Sequence, residues 1–233
     1  MQYQDQAMPY TPVEHLSSNA RATFITKTYG HLFGAILAFT LIEMFLFQSG
    51  YARPIARALL GTSWLLVLGL FMVVGWVASH FANQVESKPM QYMALSLYVV
   101  AEAIIFVPLL YIANAYAPGA IKSAAAVTLF GFAGLTIIAF VSRKDFSFLR
   151  GVLMWGGVVA AVLIVAALIF GFKLGTYFSV AMVGFAGAAI LYDTSNIIRH
   201  YPEDRYIGAA LGLFASVALM FWYVLQLFIA GRD

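Results

Sequence analysis

The chain has 233 residues, 63% of them hydrophobic and 10% charged, with a mean hydropathy of +0.88. A soluble domain carries about 25% charged and about 45–50% apolar residues, so this composition excludes one and predicts a polytopic membrane protein in a single bundle. The net charge of +3 sits in loop Lys and Arg, which speaks to topology and anionic headgroups before nucleic acid. The absence of Cys excludes disulfides and thiolate-bound metal.

In chain order, residues 1–22 are polar, with Asp5, Pro9, Pro12 and Glu14. They lack the basic start and apolar middle of a signal peptide and read as a flexible cytoplasmic tail. Residues 23–233 form the transmembrane domain. A span needs about 20 mainly apolar residues, and seven segments qualify: 28–48, 59–82, 91–115, 120–142, 148–171, 177–198 and 207–230. The breaks carry charges and turn-formers: Arg53-Pro54, Glu86 to Pro89, Ala117-Pro118-Gly119, Arg143-Lys144-Asp145, Lys173 and Pro202 to Arg205. The fold class is all-α.

Basic residues set the direction. With the N-terminus inside, the inner regions hold Arg21, Lys27, Lys88, Arg143, Lys144, Arg150, Arg199 and Arg205. The outer ones hold Arg53, Arg57, Lys122, Lys173 and Arg232, so eight against five favours N-in, C-out. Small residues mark close helix contacts: Gly30 and Gly34 in the first span, Gly184, Gly187 and Ala188 in the sixth, and Gly208, Gly212 and Ser216 in the seventh.

Three acids lie inside these spans without a Lys or Arg beside them: Glu43, Glu102 and Asp193. A carboxylate in hydrocarbon is costly unless partnered, and the missing partner reads as a mobile cation, a proton or a metal ion. At about 1.5 Å per residue, Glu43 lies roughly 7–8 Å below the outer end and Asp193 roughly 9 Å above the inner one, with Glu102 midway. Such a ladder requires the three helix faces to converge. Asn196 and His200 share the Asp193 face, which makes either a pH-responsive cation site or a plain helix–helix clamp. Pro108, six residues after Glu102, frees the carbonyl of Ile104 for a kink beside a cavity or for bundle shape alone. Glu43 reads equally as a site or as a solvated acid. His31 and His80 read as interface residues. No metal cluster, phosphate loop or G-x-S-x-G context appears, so no enzyme and no resident cofactor or metal is expected.

The run Ile190-Leu-Tyr-Asp193-Thr-Ser-Asn-Ile-Ile198 resembles the sixth-span pattern of the Bax inhibitor-1 family. Ser147 to Met154 resembles the opening of that family's fifth span, and Tyr206-Ile207 with the Gly/Ala-rich last span fits its end. The resemblance runs from residue 22 onward and is closest to the bacterial branch, which implies a bacterial inner membrane. It implies a seven-helix bundle with a central last helix. It also implies a pH-sensitive calcium leak in which two aspartates, on the sixth and seventh spans, share a proton. Asp193 matches the first; Ser216 stands where the second is usual, and the family's gating Arg near the second span has no clear match. A lone carboxyl lacks the like-charge repulsion of a pair, so the expected pH response is weaker or shifted, or conduction is lost. Expected site residues are thus Asp193, Glu102 and Glu43, with Ser216, Asn196 and His200 supporting them, and transient calcium or protons as guests. Expected partners are the bilayer, the cation and, as an alternative role, a membrane-bound AAA protease that this chain modulates or feeds.

Overall fold

The computed structural model describes residues 11–142 and 144–231. Its helices are α1 (Ser18–Gln48), α2 (Ala52–Leu60), α3 (Trp64–Gln84), α4 (Lys88–Tyr116), α5 (Ala120–Ser142), α6 (Leu149–Phe170), α7 (Gly175–Arg199) and α8 (Tyr206–Ala230). All but α2 are long and apolar enough to cross a membrane, which makes this an all-α polytopic membrane protein. Short loops turn each span back on the one before. The α3–α4, α5–α6 and α7–α8 loops therefore gather at the end where α1 begins, called here the N-terminal end.

The last helix is the hub. α8 packs against α1, α3, α4, α5 and α7, and its Ile207, Leu213, Phe214 and Leu225 are fully or almost fully buried. α4 shares the centre: Ala103, Phe106, Val107 and Ala113 are sealed in the core. Phe106 meets Phe221 and Trp222 of α8, with centroids 5.6 and 4.9 Å apart. By contrast α6 shows Trp155, Val158, Ile169 and Phe170 at its surface, as a lipid-facing helix does. Apolar residues buried on all sides make a central helix, whereas one buried stripe makes a peripheral one.

Two elements differ from the sequence expectation. The second span was expected to begin at 59, with Arg53-Pro54 as a break; instead residues 52–60 form a helix of their own and the span starts at Trp64. Pro54 falls in the first turn of α2, where a missing N–H removes no helical bond. Ala52 and Ala56, one turn apart, are buried against Val107, while Arg53 and Arg57 face outward. Residues 1–10 of the expected tail, with Arg143 and Arg232, lie outside the described residues. Residues 11–22 are placed on the body: Val13–His15 form a single turn with Val13 fully buried, and α1 starts at Ser18, ten residues before the expected 28. Ser17 caps α1 by accepting a bond from the Ala20 N–H at 3.3 Å.

Candidate functional site

The Asp193 site is built where α7 crosses α8. Ser216 Oγ donates a 2.5 Å hydrogen bond to Asp193 Oδ2. Ser216 also lines a cavity of about 720 Å3, which runs toward the end opposite the N-terminal one. Its walls come from α3, α4, α6, α7 and α8, and Lys173 and Leu174 of the α6–α7 loop stand at its mouth. Glu102 of α4, 6% exposed, lines the same cavity. One turn earlier on its own helix, Tyr98 donates its hydroxyl proton to Glu102 Oε1 at 2.9 Å. Farther toward the mouth, Ser179 Oγ donates to Gln226 Oε1 at 3.1 Å.

Glu102 and, through the Ser216 hydroxyl, Asp193 are therefore brought to one cavity. Glu43 is not. It lines a separate cavity across α8, formed by α1, α4, α5 and α8. A three-carboxylate ladder on one face is not what the chain builds: α1 and α4 pack against each other, but Glu43 faces a cavity shared with α5 and Glu102 one shared with α3, α6 and α7, which sequence spacing alone does not show.

Asn196 and His200 lead away from Asp193. His200 Nδ1 lies 3.2 Å from Asn196 Oδ1, and its Nε2 lies 3.6 Å from Asp145 Oδ2 in the α5–α6 loop. Asp145 Oδ1 also accepts the Ser147 N–H at 2.9 Å, and that backbone bond holds its carboxyl below the usual carboxylate range. The neighbouring Phe146 N–H donates to Ser195 Oγ at 3.0 Å. These bonds fasten the α5–α6 loop to α7.

Beyond Asp193 a set of loop contacts ties the N-terminal end together. The Val13 N–H donates to the Tyr201 carbonyl at 3.0 Å, Pro12 pairs with Pro202, and Glu14 Oε2 lies 3.5 Å from Arg199 Nη1. The Tyr201 ring stands 6.3 Å from that of Phe24, and burial, aided by the charge of Asp193, pushes its phenol well up. Arg205 Nη1 donates to the Val85 carbonyl at 2.5 Å, Gln91 Nε2 to the same oxygen at 2.9 Å, and Lys88 Nζ to the Asp204 carbonyl. Lys27 and Lys88 both approach the Tyr206 ring, at 5.2 and 4.5 Å from its centroid. Tyr98, Tyr201 and Val13 were missed by sequence reasoning. Only Tyr98 left a signal there, a hydroxyl four residues before an acid on one helix.

Among the described residues no group of three or more His, Asp or Glu gathers as a metal-binding cluster. Asp193 and Glu102 are each single carboxyl groups with one hydroxyl donor.

The family model described as inhibitor of apoptosis-promoting Bax1 matches residues 21–233. Protein LIFEGUARD 4 of Arabidopsis thaliana is 30% identical over 93% of this chain and 88% of that protein. Bax inhibitor 1 of Schizosaccharomyces pombe is 30% identical over 96% and 82%. An Escherichia coli protein, called modulator of FtsH protease YccA in one strain and inner membrane protein YccA in another, is 38% identical over 40% of this chain and 42% of its own length. The chain belongs to the Bax inhibitor-1 family.

Proposed function

We propose that this protein is a pH-sensitive cation leak, with calcium as the cation, in a bacterial inner membrane with its N-terminus in the cytoplasm. The observation that carries the reading is the cavity that reaches Glu102 and ends at Ser216, whose hydroxyl holds Asp193. A cation entering past Lys173 meets Glu102 first. To go further it must replace the Ser216 hydroxyl at Asp193, then part the bonds that tie Val13, Tyr201, Arg205 and Val85 together. Protonation of Asp193 removes the charge that draws the cation on. Asp193 titrates here beside a hydroxyl instead of a second carboxyl, so the response follows one proton on one group and not a shared proton on a pair.

Liposomes loaded with a calcium dye test this. The reconstituted protein should leak faster than empty vesicles, with a pH dependence that Asp193→Asn abolishes and a rate that Glu102→Gln lowers. Equal flux in wild type, Asp193→Asn and empty vesicles rejects the leak.

A second reading is favoured by the Escherichia coli relative named as a protease modulator. In it the chain conducts nothing and modulates or feeds a membrane-bound AAA protease, which engages the N-terminal segment. Deleting residues 1–16 should then change the lifetime of the protein in cells, and an unchanged lifetime with no co-purified protease counts against it.

A further inference from the structure

The Glu43 cavity has a composition of its own. It measures about 340 Å3, within the range of small-molecule pockets. Its walls are mainly apolar, with Phe39, Phe47, Phe214 and Phe221, and the exposed Thr40 and Asn114 add polar groups to the lining. Into it face two buried polar side chains, Glu43, 8% exposed, and Thr128, 2% exposed. Both carboxyl oxygens of Glu43 and the Thr128 hydroxyl lack any hydrogen-bond partner among the described residues. No Lys, Arg or His lines the space.

A buried acceptor pair without a donor costs free energy that a ligand can recover by bringing the donor. The ligand must carry N–H donors, best as a positive charge, to meet the carboxylate. The rest of it must be apolar to match the walls, and the phenyl faces add attraction for an ammonium. A phosphate beside the amine would find no basic group, which disfavours a phosphatidylethanolamine headgroup. We infer that the cavity between α1, α4, α5 and α8 binds a free lipophilic amine, its ammonium held by Glu43 and Thr128 and its hydrocarbon between Phe39, Phe47 and Phe214.

The probe is a photoreactive alkylamine carrying a diazirine in its chain, added to the full protein in phosphatidylcholine nanodiscs, with labelled peptides mapped by mass spectrometry. Labelling should concentrate on α1, α5 and α8 around Met44, Leu129 and Val217. Decylamine should compete for it, and decanol and decanoate of the same chain length should not. Glu43→Gln should cut specific labelling at least tenfold. Ala125→Phe, which fills the cavity from α5 and leaves the carboxyl in place, should do the same, so that loss of fold in one variant does not decide the outcome. Helicity and thermal midpoint report folding for both. Three results overturn the proposal: labelling unchanged in both variants, decanol competing as well as decylamine, or label spread along lipid-facing α6. A fourth is loss of labelling when phosphatidylethanolamine replaces phosphatidylcholine, which would assign the cavity to a lipid headgroup.

Discussion

The two ends of the bundle are built in opposite ways around the same central helix. At the N-terminal end, α8 begins among backbone and side-chain bonds that join four separate chain segments: Val13 to Tyr201, Arg205 and Gln91 to Val85, Lys88 to Asp204, and Phe146 to Ser195. Toward the other end α8 is flanked by two cavities, one reaching Glu102 and one Glu43, with large apolar side chains between them. Loops and polar backbone thus tie the N-terminal end, whereas Glu102 and Glu43 are buried in the walls of cavities.

The closest packing at the closed end offers the strongest way to break this contrast. A Cβ at Gly208 would collide with Asn83 Oδ1 and lie 2.8 Å from the Ala82 carbonyl oxygen, whereas one at Gly212 would meet nothing nearer than the Tyr201 hydroxyl at 3.8 Å. Gly208→Ala should therefore force α3 and α8 apart and cost up to about 3 kcal/mol. Gly212→Ala, one turn along, should be neutral or gain up to about 1 kcal/mol from helix propensity. Unfolding in mixed micelles measures both, and equal effects would show that the α3–α8 contact does not close the end.

Next in size is the bond at the meeting point of the two regions. Ser216→Ala removes the donor to Asp193 and should cost about 1.5–3 kcal/mol, the range for hydrogen bonds to charged groups. In the background of Asp193→Asn the same change should cost clearly less, and the difference is the coupling energy of the pair. Additive effects would mean that Ser216 matters for packing alone.

How far the sequence foretold this division can be judged residue by residue. The spans were legible because hydrocarbon imposes length and composition on a helix, and the Ser216–Asp193 approach was foreseeable from the family resemblance, which puts Ser216 where a second acid is usual. The placement of Glu43 away from Glu102 was not, because which cavity a side chain faces depends on packing among distant segments. Helix α2 was hidden by its Pro54, a residue that breaks a helix in the middle yet suits its first turn. The seat of Val13 was hidden because a single apolar residue in a polar segment carries no period.

That seat gives the third prediction. Val13 is fully buried, and Val13→Ala removes two methyl groups at about 0.8 kcal/mol each. The loss should appear as local release of residues 11–17, with global stability little changed. Limited proteolysis ahead of Ser18 should accelerate roughly 5–30-fold, the range that a change of one or two kcal/mol implies. If the leak reading holds, calcium flux should rise in parallel.

The smallest effect belongs to the α5–α6 loop. Asp145 has a carboxyl held low by the Ser147 N–H, with desolvation opposing and His200 and Arg199 assisting. A carboxyl whose folded value is depressed stabilises the fold above its unfolded value and loses that contribution as pH falls through the folded one. Asp145→Asn should therefore lower the thermal midpoint slightly at neutral pH, and the gap to wild type should close as the pH drops through and below the ordinary carboxylate range. Because Asp145 is largely solvent-facing, screening keeps the effect small. A gap that stays constant with pH would locate the contribution in the Phe146–Ser195 bond instead, and would leave the closed end held by neutral backbone contacts without help from charge on this loop.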